Sequence, residues 1–186
     1  MALEPQAAPD PRPDAAAHVP PFIAAYFRFN GWLSRQCLRV SVFGLCVILA
    51  AVLIQIFGRY VLNDSPTWTE IFALVVVLYV TCLAAAVGVR DSRHIGMESL
   101  LTFMSEEKRR WIEIVVFLGM IVFGLAMSWG GTILASEVWD YLNPGLPISQ
   151  GWSYVPLGFG GLLIAYFAIE QIIARILNVK VVPSWH

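Results

Sequence analysis

Three cysteines, three histidines and a thin scatter of acids are the residues of this 186-residue chain that could carry covalent, redox, metal or proton chemistry. Cys37, Cys46 and Cys82 form no CxxC pair, and the latter two lie inside apolar runs, where a thiol serves as a small apolar filler. Quinone-linked disulfide exchange needs paired, accessible thiols, and this spacing does not supply them. A membrane cytochrome needs an axial ligand such as histidine deep within a helix. His18, His94 and His186 fall instead in an N-terminal tail, a polar loop and the last position. His94 has no ligand set around it and reads as an interfacial residue. Glu70, Glu113 and Glu170 each stand within a turn or two of the end of an apolar run, where they are expected to reach water or headgroups. A carrier that binds its own solute usually has a charged or broken site near the midplane. The centres of the apolar runs are Val, Leu, Ala and Ile, with Gln55, Thr81, Ser128 and Thr132 as the main polar groups inside. The residues therefore point away from an enzyme, from a bound cofactor or metal, and from an autonomous carrier.

The elements that hold these residues follow from composition. The chain is 58% hydrophobic and 13% charged with a mean hydropathy of +0.69, far from the quarter charged of a soluble domain. A net charge of −1 gives nucleic acid no basic surface. Crossing ~30 Å of hydrocarbon at ~1.5 Å per residue takes about 20 apolar residues. Four runs qualify: 40–58, 71–89, 114–136 and 155–177. Helices apolar all round leave no face for water, so the chain reads as an all-α membrane protein with four transmembrane helices spread over residues 22–180. Small residues recur every four positions at Gly124, Ser128 and Thr132, at Ala84 and Gly88, and at Gly161 and Ala165. Such stripes let helix backbones approach in lipid, either inside this chain or against another subunit.

Charge sets the expected orientation. Arg28, Arg35 and Arg39 precede the first run, Arg90, Arg93, Lys108, Arg109 and Arg110 separate the second from the third, and Arg175 and Lys180 end the fourth. The loop between the first two runs holds only Arg59, and the loop between the last two holds no Lys or Arg. The positive-inside rule then places both termini in the cytoplasm. Residues 1–21 hold six of the eleven prolines and read as a disordered cytoplasmic tail without a secretion signal, and 181–186 as a short C-terminal tail. Phe22, Tyr26, Phe29 and Leu33 form an aromatic stripe with Arg28, Arg35 and Arg39 off it, which predicts an amphipathic interfacial helix flowing or bending at Asn30-Gly31 into span one. A second interfacial piece is expected over 94–111, where Met97, Leu100, Leu101 and Met104 share a face. In the last loop, Trp139, Tyr141, Trp152 and Tyr154 are placed as an interfacial belt, and Asn143-Pro144-Gly145 as a turn.

The stretch RYVLNDSPTWTE, residues 59–70, is the polar break between the first two spans. Arg59 ends one span and Glu70 begins the next, so a short turn stiffened by Pro66 brings them to one depth, with Trp68 at headgroup level. Two readings stay open: Arg59 and Glu70 pair, or each anchors its own helix end.

This stretch, together with RDSRHIGMESLL and GLPISQGWSYVPLG, resembles the small four-helix membrane subunit of the tripartite ATP-independent periplasmic (TRAP) transporters. The matching positions are Arg59-Tyr60, Ser65 to Glu70 around Trp68, Arg90 with His94-Ile95, and the Gly/Pro/aromatic entry to the fourth span. The resemblance runs from about 33 to 177. Many members have two adjacent acids after the tryptophan where this chain has Glu70-Ile71, so no role needing a second carboxylate is carried over. The resemblance implies a small scaffold subunit in the bacterial inner membrane. Its implied partners are a large multi-spanning permease, which carries the sodium coupling, and a periplasmic solute-binding protein for a carboxylate or acidic sugar, with membrane lipids around them. Arg59, Trp68, Glu70, Arg90 and His94 are then candidates for structural or partner-interface roles. A membrane anchor for an enzyme or redox complex is the alternative reading.

Overall fold

The computed structural model describes residues 21–63, 68–91, 106–143 and 145–177. The expected tails, the turn around Asp64, Ser65 and Pro66, and most of the second interfacial piece, His94 included, lie outside the described residues. Four helices long and apolar enough to cross a membrane dominate the rest, and no β-strand occurs among the described residues. They are α1 (Pro21–Phe57), α2 (Trp68–Arg90), α3 (Glu106–Glu137) and α4 (Val155–Ile176).

Residues 22–39 flow into the first span without a bend, as the first half of α1. The reason is the side of α1 that faces inward. Asn30, Ser34, Cys37 and Ser41 recur at three- and four-residue steps and are all buried, so Asn30-Gly31 is a packing position rather than a hinge. Beyond Phe57 the helix widens into one π-turn, Gly58–Leu62, and stops at Asn63. Asn63 has φ 54° and its N–H bonds back to the Gly58 carbonyl. Asparagine tolerates this left-handed conformation, which glycine otherwise supplies at helix ends.

The helices pack in the order α1, α2, α4, α3, so α2 and α4 are the inner helices and α1 and α3 the flanks. Their shared core gathers at the end where α2 finishes and α3 begins. Cys37 of α1, Ala86, Val87 and Val89 of α2, Phe117 of α3 and Leu163, Ile164, Phe167 and Ala168 of α4 meet there. We refer to this as the Arg90 end. At the opposite, hairpin end, residues 138–143 and 145–154 lie between α3 and α4 in the chain. An antiparallel bridge joins Leu142 to Ser149, Gly145 takes φ 83°, and a 3-10 turn over Gln150–Ser153 leads into α4. Trp139 and Trp152 pack at 5.8 Å between ring centroids, and the Tyr79 hydroxyl donates to the Trp152 carbonyl at 2.9 Å, tying this loop to α2.

The small-residue stripes divide. Gly124 and Ser128 of α3 face Gly161 and Ala165 of α4, as an internal contact. Ala84 is exposed, and a Cβ placed on Gly88 would meet nothing within 4 Å, so the α2 stripe makes no such close contact among the described residues.

Candidate functional site

The densest polar chemistry lies at the Arg90 end, where one residue type after another is withdrawn from solvent. Arg90, the last residue of α2, is 2% exposed, and Glu170 of α4 is 0% exposed. Arg90 Nε reaches Glu170 Oε2 at 3.0 Å and Nη2 reaches Oε1 at 3.3 Å, a bidentate fork on a carboxylate. Asp91 adds a second carboxylate 3.8 Å from Nη1. Gln171 Nε2 donates to the Arg90 backbone carbonyl, one of the acceptors that a helix C-terminus leaves without an internal partner. α1 closes the cluster from the other side: the Tyr166 hydroxyl donates to Asn30 Oδ1 at 2.8 Å, and Tyr26 meets the Tyr166 ring edge-on at 5.8 Å. A second ion pair, Arg175 Nε to Glu113 Oε2 at 2.8 Å, joins α4 to α3, and Arg110 Nη2 donates to the Ile176 carbonyl at 2.9 Å.

This geometry corrects the expectation that Glu113 and Glu170 reach water or headgroups. Both are buried. Glu170 stands six residues before the end of α4, or ~9 Å along the axis. Its neighbours on α1 and α2 seal it laterally, which distance along the sequence does not reveal. A signal did exist: Glu170 and Gln171 adjacent in an otherwise apolar span, with Arg90 as the last residue of another, are the polar groups a buried charge needs nearby.

The remaining candidates separate. Arg59 and Glu70 are both exposed, and no ion pair joins them among the described residues. Trp68 opens α2, 43% exposed, with its ring 6.4 Å from that of Phe72. We expect Arg59→Gln and Glu70→Gln to act additively on assembly of the complex, because exposed pairs couple weakly. A double-mutant cycle read by co-purification yield checks this, and clear non-additivity would restore the pair. At the hairpin end an open groove of about 720 Å³ runs between α3 and α4. Ser136, Trp139 and Asp140 line its polar mouth and Phe159 and Leu162 its apolar floor.

Set against known families, residues 48–178 match the model described as tripartite ATP-independent periplasmic transporters, DctQ component. The chain belongs to this family. The match takes in α2, α3, α4 and the end of α1 from residue 48 onward, so the Arg90–Glu170 pair lies within it. A relative from Vibrio cholerae serotype O1, the sialic acid TRAP transporter small permease protein SiaQ, is 27% identical over 136 residues, covering 69% of this chain and 74% of that protein. The chain is thus a transmembrane small permease subunit of a TRAP transporter, and the family is one of transporter subunits rather than enzymes. The buried cluster is an internal contact of this chain. It ties the end of α2 to α4 and to the first half of α1, and leaves each carboxylate facing a guanidinium rather than a solute.

Proposed function

We propose that this DctQ subunit is the scaffold member of a binding-protein-dependent, sodium-coupled transporter for an anionic organic solute, a carboxylate or acidic sugar. It sits in the bacterial inner membrane with both termini in the cytoplasm. What supports the scaffold role is the disposition of its charges. The buried acids Glu113 and Glu170 face Arg175 and Arg90, both pairs toward one end of the bundle. The intervening helix centres offer small and apolar side chains. The name of the Vibrio relative, which specifies sialic acid, favours an acidic sugar within the solute class. The large permease carries the solute and the sodium coupling, and the small subunit braces it in the bilayer. The Lys and Arg distribution supports the orientation, which turns loops 59–70 and 137–154 toward the periplasmic binding protein.

Deletion of this chain should abolish solute uptake while the purified subunit alone binds no solute. Co-purification of a large multi-spanning permease is expected. Uptake by liposomes holding this chain alone, or recovery of a soluble oxidoreductase in place of the permease, would overturn the reading. A reporter fused near Asn143 should be periplasmic.

A further inference from the structure

The arginines near the Arg90 end divide into two groups. Arg90 and Arg175 face carboxylates, and Arg110 donates to a backbone carbonyl. Arg28, Arg35 and Arg39 of α1 have no acidic partner among the described residues, and α1 itself contains no acid. With Trp32 they recur at steps of four, three and four residues, which places all four in a band about 60° wide on the helix. Arg28, Trp32 and Arg39 are exposed and Arg35 is half-buried, while Asn30, Ser34 and Cys37 occupy the buried side.

The electrostatics favour an anion. Arg35 Nη1 and Arg90 Nη2 converge on Gly31, where a Cβ would lie 3.8 and 3.5 Å from them. Glu170 faces the Arg90 charge, whereas no acid among the described residues faces that of Arg35. We propose that this side of α1 is a docking surface for anionic phospholipid headgroups, with Arg28, Arg35 and Arg39 holding phosphates and Trp32 fixing the depth. Guanidinium matches phosphate as a bidentate donor, and tryptophan prefers the headgroup level.

Two further observations select a lipid over an acidic protein. Phe29 and Trp32, 54% and 52% exposed, stand beside the arginines, and the stripe continues into the exposed apolar Val40 and Phe43 without a break. The span from Phe22 to Leu62 is 41 residues, or ~60 Å, against ~30 Å of hydrocarbon. The arginine-bearing half therefore runs out of the apolar layer or lies inclined within the headgroups. The proposal rests only on the chain spanning a bilayer and is independent of the transported solute.

The test is native mass spectrometry of the full-length subunit in neutral detergent, exchanged against equal amounts of phosphatidylglycerol and phosphatidylcholine. The wild type should retain phosphatidylglycerol preferentially. Arg28→Gln alone should lower that preference about fivefold, and adding Arg35→Gln and Arg39→Gln about fivefold each again. Arg→Lys at the three positions should keep most of it. Helix content and melting temperature report folding, and Arg28→Gln, at an exposed position, decides the matter where the triple variant unfolds. Equal retention of both lipids by the wild type overturns the proposal, as does an undiminished preference in folded Gln variants. Loss of an acidic protein partner with lipid preference intact would assign the surface to protein instead.

Discussion

Glu170→Leu is expected to be among the most damaging single substitutions in this subunit, lowering its stability by about 3–5 kcal/mol, the cost of leaving one partner of a buried ion pair alone. Arg90 is 2% exposed and its guanidinium is turned onto Glu170 through two bonds. Removing the carboxylate leaves that charge in a site walled by α1 and α4, with the Asp91 carboxylate, 3.8 Å from Nη1, as its remaining counter-charge among the described residues. A surface pair of the same type contributes about 0–1 kcal/mol, so burial decides the magnitude. The double variant Arg90→Met/Glu170→Leu should recover most of the loss, because apolar side chains of similar volume often replace a buried pair at little cost. Thermal unfolding in detergent reads both. A Glu170→Leu variant as stable as the wild type would show that Arg90 finds water or another acid, and that this pair does not hold α2 to α4.

The same residue shows where sequence reasoning stops. Four spans are legible because hydrocarbon thickness fixes how many apolar residues a helix needs, and four helices long and apolar enough to cross a membrane are observed. Sequence position also locates Glu170 correctly along its helix. Its lateral burial depends on which neighbour covers it, and that is set by the helix order α1, α2, α4, α3, which hydropathy does not encode. The first half of α1 illustrates the converse. Its aromatic and basic pattern leaves open whether it flows or bends into the span, and it is Asn30, Ser34 and Cys37, buried on the bundle, that keep it continuous. Polar residues can line a buried side when their partners, here Tyr166 for Asn30, arrive from another helix. Small-residue stripes are visible in the sequence, but only the folded chain shows that those of α3 and α4 meet each other, while the one on α2 makes no such contact among the described residues.

The internal stripe carries the second large effect. A Cβ on Gly124 would lie 2.7 Å from the Gly161 carbonyl oxygen and 3.0 Å from the Ala165 nitrogen, and a Cβ on Gly131 would lie 2.7 Å from the Gly158 nitrogen. These obstacles are backbone, which cannot swing aside as the tip of a side chain can. In lipid the contact has no hydrophobic drive to restore it, since the tails are as apolar as the helices, and close packing is the main attraction between α3 and α4. Gly124→Val should therefore cost about 1–3 kcal/mol or more by forcing the helices apart. The displacement would also strain the Arg175–Glu113 pair that joins them nearer the Arg90 end. Gly119→Ala is the matched control, because a Cβ there meets nothing within 4 Å. It should be neutral or slightly stabilising through the better helix propensity of alanine. Thermal unfolding of the two variants side by side separates loss of contact from a general intolerance of substitution in α3. Equal melting temperatures would mean that α3 and α4 are held by their bulky flanking side chains, and that the glycine contact is incidental.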